Sequence, residues 1–293
     1  MLYGLKTVVT YALGIDVAGR NLAVYPDDTF IVSYPRSGNT WTRFLVANLV
    51  HPGREVTFTN IEKLVPDTVT QSNKTLKGMP RPRIIKTHEY FDHRYPKIIY
   101  IVRDPRDVAL SNYNFHRKYG HIDDSMPLDR FIDGFVSGGL IEQEWGNWAE
   151  NVASWVYTRG QSDRFLLLRY EDMLQNTVVE LERIANFMGI DPEPKQLQRA
   201  VELSAVDRMR KMEKEQEDQW LASQGFAARR AQSHQRKDIP FVGGAKSGGW
   251  RESLPESCIH QIESAWGELM TKIGYELVTV HEPQSVIRAK VLT

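Results

Sequence analysis

Phe30-Ile31-Val32-Ser33-Tyr34-Pro35-Arg36-Ser37-Gly38-Asn39-Thr40-Trp41 is the stretch around which the chain is organised. Phe30, Ile31 and Val32 are a short β-branched and aromatic run of the kind buried in a strand. Pro35, Ser37 and Gly38 punctuate the chain after it. From Thr40, the residues Trp41, Phe44, Leu45 and Leu49 recur at three- and four-residue steps, the period of an amphipathic helix. Strand, small-residue loop and helix start are the parts of a phosphate cradle. Loop N–H groups point inward there, and the helix dipole adds partial positive charge. A plain strand–turn–helix connection has the same outline, so the side chains must decide.

Against the nucleotide-hydrolase pattern G-x-x-x-x-G-K-[ST] the loop fits only in part. Ser33 takes the place of the first glycine, Gly38 and Thr40 match, and Asn39 replaces the lysine. A triphosphate site without that lysine lacks its main charge on the β- and γ-phosphates. The cation is Arg36, inside the loop, which points to a single anionic group at a 5′ position.

Outward from this stretch, Arg83–His88, Lys97–Arg103 and Arg164–Arg169 read as further strands. Helices are expected near 61–65, from Asp104-Pro105, at 128–137, 147–159, 177–188 and 255–273. Strands alternating with helices imply an α/β fold: a single domain with a P-loop-like parallel sheet and helices on both faces. Ligands of such sheets bind beyond the carboxyl ends of the strands. The polar strand ends are Ser33–Ser37, Lys86–His88, Arg103–Asp104 and Arg169–Glu171. From Ser204 to Gly249 charged residues dominate, Arg229 and Arg230 among them, ending in a glycine-rich loop. Residues 1–26 read as an N-terminal extension with a short surface helix near Val8–Ile15, 27–275 as the domain and 276–293 as a tail, a candidate contact for a homodimer.

Composition narrows the partners. Formal net charge is zero over 293 residues, so no global field favours nucleic acid or an anionic membrane, and a polyanionic ligand needs locally clustered cations. The single cysteine, Cys258, excludes an internal disulfide framework and fits a reducing compartment. The run Val8–Ile15 is too short and too polar to span a bilayer. Eight scattered histidines and one cysteine offer no metal cluster.

Three motifs taken in order carry a resemblance. Tyr34-Pro-Arg-Ser-Gly-Asn-Thr-Trp41 resembles the 5′-phosphosulfate loop of the cytosolic-type sulfotransferases, close to YPKSGTTW, with Arg36 for lysine and Asn39 for threonine. Arg103, Asp107 and Ser111 match that family's R-x-x-x-D-x-x-x-S segment for the 3′-phosphate, and Lys86-Thr-His88 is identical to its KTH motif. The resemblance implies 3′-phosphoadenosine-5′-phosphosulfate (PAPS) as co-substrate and in-line, metal-independent transfer of a sulfuryl group to a hydroxyl or amine acceptor. His88 would be the base, with neighbouring Glu89 the fallback. Lys86 would steady the sulfuryl group, and Arg36 the departing bisphosphate. Ser37, Gly38, Asn39 and Thr40 would cradle the 5′ end. Trp41, Tyr170 and Ser204 would form the adenine pocket, where Val206 replaces a stacking phenylalanine.

The last loop resembles F-x-R-K-G-x-x-G-x-W at Phe241, Gly248 and Trp250, but Gly243 and Gly244 stand where two phosphate-clamping cations belong. Lys246 is the nearest cation in sequence. The family's soluble branch implies a cytoplasmic protein without a stable membrane anchor, acting on a small-molecule or saccharide acceptor and not on nucleic acid. Segments 63–81, 115–140 and 220–246 would line the acceptor pocket. Two competing readings are an ATP-dependent P-loop kinase, disfavoured by Asn39, and a non-catalytic nucleotide-binding relative, disfavoured by the retained Lys86 and His88.

Overall fold

The computed structural model describes residues 18–139, 145–223, 236–244 and 246–279. The expected helix near Val8–Ile15, the cations Arg229 and Arg230, and most of the tail lie outside the described residues. Four strands, β1 (Thr29–Ser33), β2 (Ile84–Thr87), β3 (Lys97–Val102) and β4 (Phe165–Arg169), form one sheet in the order β2-β1-β3-β4. All pairs are parallel; Phe30 sits opposite Ile85 on one side and Ile98 on the other.

Period-two alternation divides the core. Phe30, Val32, Ile98, Tyr100 and Val102 face one side. There they meet α2 (Pro105–Lys118), α3 (Leu128–Ser137), α4 (Trp148–Arg159) and α9 (Glu256–Lys272) through Val108, Phe131, Trp155 and Met270. Ile31, Ile99, Ile101 and Leu168 face the other side, covered by α1 (Asn39–Val50), α6 (Thr177–Met188), α7 (Pro194–Leu203) and α8 (Val206–Ser223). Burial on both faces is why these strands are continuously apolar in sequence.

The expected helix starts hold. Asp104 caps α2 through the Arg106 N–H at 2.9 Å with Pro105 in the first turn, Asn147 and Glu150 close a capping box on α4, and Gly189 ends α6 at φ 77°. Five α-helices among the described residues go beyond the sequence reading: the short Asn73–Lys77 and Trp250–Ser253, α5 (Tyr170–Gln175), directly after β4, and then α7 and α8. In α8 Met209, Met212 and Glu213 are buried, and the charged residues interleaved with them in the sequence hide this face. Both chain ends of the described part pack on the domain. Ala18 and Leu22 are buried, and Glu263 accepts the N–H groups of Val278 and Thr279. No helix among the described residues is long and apolar enough to cross a membrane.

Candidate active site

The chain leaves β1 toward β2 on one side and returns to β3 on the other, so the connections part beyond the carboxyl ends of β1 and β3. A cavity of about 1100 Å³ opens there. Its walls include Arg36, Gly38, Asn39, Thr40, Trp41, Lys86, His88, Arg103, Ser111, Tyr170 and Lys246.

The loop after β1 is built by two residues with positive φ, Arg36 at 66° and Gly38 at 99°. For arginine this is a strained conformation, of order 1–3 kcal/mol, of the kind that collects at functional sites. At Gly38 the requirement is also steric, since a Cβ would lie 2.4 Å from Cδ2 of Tyr170. The Arg103 guanidinium carbon sits 4.6 Å from the centre of the Tyr170 ring. Gly38 precedes α1 without a side chain to cap it, and the first turn carries no acid, so the N-terminal N–H groups of α1 are left for another acceptor. Ser37 Oγ, Asn39 Oδ1 and Arg103 Nε are buried without partners among the described residues. The Ser37 hydroxyl and the Arg103 Nε–H are donors, whereas Asn39 Oδ1 only accepts; unpaired donors at a helix start beside arginines fit a phosphate group.

Arg36 reaches across the cavity. Its Nε donates to Ser111 Oγ and its Nη2 to the Phe241 carbonyl, both at 3.1 Å, and the guanidinium lies 5.0 and 5.1 Å from the rings of Phe115 and Phe241. Burial in this aromatic bracket pulls its pKa down to about 10, which leaves it charged at neutral pH. Arg103 ties the two loops together, donating to the carbonyls of Arg36 and Lys246, each at 3.2 Å.

His88 Nδ1 lies 2.7 Å from the Ser33 carbonyl oxygen. A carbonyl only accepts, so Nδ1 carries the proton and Nε2 keeps the lone pair. Burial, then repulsion from Lys86, Arg43 and Arg36, holds the imidazole pKa well below its ordinary value, so it stays neutral with the Nε2 lone pair free. The Trp145 ring stands 5.3 Å away. Lys86 Nζ donates to Asp67 Oδ2 at 2.6 Å.

A family profile described as a sulfotransferase domain matches residues 26–274. The chain belongs to the sulfotransferase family. A 3-beta-hydroxysteroid sulfotransferase of Cavia porcellus is 30% identical over 201 residues, covering 65% of this chain and 68% of its own length. Sulfotransferase 1B1 of Canis lupus familiaris is 28% identical over 207 residues, 64% of this chain and 67% of its own. Among solved structures, retinol dehydratase with androsterone and the inactive cofactor PAP superposes with a TM-score of 0.67 at 21% identity, covering 91% of this chain and 85% of that one. A mouse sulfotransferase complexed with PAP gives 0.65 at 22% identity, covering 85% and 86%. At these identities the two structures speak for the fold, and the kinase reading gives way to the family match.

Within this sulfotransferase, several expected residues do other work. Ser204 is fully buried away from the cavity, where its Oγ accepts from Asn48 and its carbonyl from Trp41 Nε1, each at 3.0 Å. Its role is to hold Trp41, which meets the Tyr170 ring edge-on at 5.8 Å. Ser37 and Gly248 are likewise set back from the cavity wall. Ser37 is buried within the loop, and the Gly248 N–H donates to Asp107 at 2.7 Å. Asp107 also accepts from the Trp250 N–H at 3.1 Å, so this motif aspartate anchors the last loop. Glu89, two residues past the end of β2, is buried and paired with Arg20 at 3.0 Å, and the cavity wall does not include it, which disfavours it as the fallback base. Among nearby aromatics, Phe115 lines the cavity, whereas Tyr90, Phe91 and Tyr113 do not.

Sequence reasoning missed Asp67, Glu62 and Arg43, which surround Lys86, and also Trp145 and the pair His116–His121, whose Nδ1 atoms lie 3.2 Å apart on the wall. Burial, His121 and Arg36 push His116 down to about 4. Arg210 was missed as well. Its Nε donates to the Val242 carbonyl at 3.4 Å, and its Nη2 lies 3.6 Å from where a Cβ on Gly244 would stand. Apart from the His116–His121 pair, five residues apart, these depend on contacts farther along the chain, for which no local pattern exists.

Proposed function

We propose that this sulfotransferase moves the sulfuryl group of PAPS to the hydroxyl or amine of a small-molecule acceptor, with His88 as base. The observation that carries the reading is His88 itself. It is neutral, fixed in one tautomer by the Ser33 carbonyl, and set on the wall of the cavity into which the anion-binding loop opens. Bound in that cavity, the donor supplies the sulfur–oxygen bond that breaks and a 3′,5′-bisphosphate that leaves. His88 Nε2 takes the acceptor proton as the acceptor oxygen or nitrogen bonds to sulfur. Arg36 carries charge that collects on the departing oxygen, and Lys86 faces the sulfuryl oxygens. The N–H groups of the 37–41 turn hold the 5′-phosphate. Arg103 and Ser111 hold the 3′-phosphate, with Lys246 and Arg210 standing in for the cations absent at Gly243 and Gly244.

The named steroid acceptor of the Cavia porcellus relative favours a hydroxylated ring, and Phe115 and Trp145 offer ring-sized apolar walls here; the same walls suit a saccharide face. The reading places the protein in the cytoplasm, where a thiol such as Cys258 stays reduced. The test combines binding and transfer. 3′,5′-Bisphosphoadenosine should raise the melting temperature without metal, by roughly 2.7 kcal/mol of linkage at about 100 times its dissociation constant. With sulfur-35 donor and pooled phenols, steroids and sugars, His88→Ala should lower turnover by about two to four orders of magnitude while leaving that binding intact. Because the His88 pKa is depressed, the acid limb of the parent's rate profile should lie below pH 6.5. Binding without transfer to any acceptor would instead favour the non-catalytic relative.

A further inference from the structure

The surroundings of Lys86 extend beyond the reaction's obvious groups. Residues 66–68 run alongside the end of β2 as one extra parallel bridge, centred on Asp67 and Lys86. Lys86 N–H donates to the Pro66 carbonyl at 2.8 Å, and the Thr68 N–H returns to the Lys86 carbonyl at 3.1 Å. These bonds set the register that brings Asp67 Oδ2 to Lys86 Nζ at 2.6 Å, with both side chains more than nine-tenths buried. Asp67 is itself fixed: its Oδ1 accepts from the Val69 N–H at 3.1 Å, and its own N–H donates to Glu62 Oε2 at 3.0 Å. Glu62 pairs in turn with Arg43 of α1 at 2.8 Å. A balanced chain of two cations and two carboxylates thus joins the phosphate-binding helix to the end of β2. All four members line the cavity.

We infer that Asp67 is a positioning residue of the transfer reaction, holding the Lys86 side chain as an ammonium in register with His88. The inference rests on the roles proposed above for Lys86 and His88. Its electrostatic content follows from the charges present. Burial disfavours the Lys86 ammonium and Arg43 repels it, whereas Asp67, and more distantly Glu62, favour it. Just past the end of that strand His88 is neutral, with Arg36 and Arg43 as further cations near its ring. Removing the Asp67 charge leaves a buried ammonium beside Arg43 with only the remoter Glu62 to compensate. The proton of Lys86 is then lost at lower pH, and a neutral amine cannot steady the sulfuryl oxygens.

The experiment is a set of rate–pH profiles at saturating donor from pH 6 to 9.5 for the parent, Asp67→Asn, Asp67→Glu, and Asp67→Asn combined with Lys86→Arg. The parent should show no fall from pH 7 to 8.5. Asp67→Asn should lose about tenfold or more across that interval while binding 3′,5′-bisphosphoadenosine within about threefold of the parent. Asp67→Glu should recover most of the alkaline rate. The arginine combination should abolish the limb, because a guanidinium does not titrate there. An Asp67→Asn profile parallel to the parent's, or a loss confined to donor binding, overturns the inference and leaves the proposed function standing. If Lys86→Met transfers sulfate as fast as the parent, the role of Lys86 fails and the inference with it. Should Asp67→Asn not fold, nitrogen-15 lysine NMR of the parent decides: Lys86 must be protonated at pH 7.5, and a neutral amine there overturns the proposal.

Discussion

Two loops border the cavity, and their glycines are there for opposite reasons. In the loop after β1, Gly38 is demanded by the fold: its φ is 99°, and the Tyr170 ring fills the space of a side chain. In the loop before Trp250, Gly243 has nothing within 4 Å of a Cβ position, and Gly244 meets only the flexible ends of Arg210 and Lys246. Neither has positive φ. The second loop is held from outside. Glu213 accepts the N–H groups of Phe241 and Val242 at 2.5 and 2.8 Å, Lys118 donates to the Ile239 carbonyl at 2.7 Å, and Asp107 takes the N–H groups of Gly248 and Trp250. The comparison teaches that a glycine can be a backbone requirement or a vacancy that other side chains occupy.

The sharpest way to break this contrast is to add one methyl group to each loop. Gly38→Ala combines backbone strain with overpacking against Tyr170, an expected loss of about 3–5 kcal/mol in stability and abolished bisphosphate binding. Chemical denaturation and calorimetry measure both, and a Gly38→Ala protein of parental stability would remove the steric argument. Gly243→Ala, on open space, should stay within about 0.5 kcal/mol.

Next in size is Arg36, which touches both loops at once. Arg36→Ala should lose roughly 3 kcal/mol of transition-state stabilisation, a fall of about two orders of magnitude in kcat/KM. Arg36→Lys should keep measurable turnover because a point charge survives, though it gives up the fork that spans Ser111 and Phe241. Turnover of Arg36→Ala at the parental rate would reduce the first loop to a phosphate cradle and move the electrostatic work to Lys86.

The smallest expected effect tests the vacancy. Lys246→Ala and Arg210→Ala should each weaken 3′,5′-bisphosphoadenosine binding by about three- to tenfold and 5′-AMP binding by less than twofold, the yield of one partly exposed charge-assisted contact. Adding Gly244→Lys to Arg210→Ala should restore discrimination between the two nucleotides. Equal losses for both ligands in titration calorimetry would show that these cations do not see the 3′-phosphate.

The four strands, the helix starts at Asp104 and Asn147, and the loop from Ser33 to Trp41 were legible because each is written in contiguous residues. Apolar runs report burial on both faces, and caps and glycines report local backbone geometry. The same locality made Lys86-Thr-His88 legible as one motif at a strand end, whereas Glu89 stayed a fallback base because its partner Arg20 lies 69 residues away. Tertiary structure decided everything that depends on a partner far along the chain. Asp67 reaches Lys86 across 19 residues, Arg36 reaches Phe241 across 205, and Asp107 reaches Gly248 across 141. Ser204 had the right residue type for a nucleotide pocket, yet the packing of α7 against α1 turned it toward Asn48 and away from the cavity. Hydrophobic periodicity fixes which residues go inside, because burial is a property each segment expresses alone. Which buried charge meets which is settled only when the elements dock, since an ion pair requires two side chains to converge within hydrogen-bond distance.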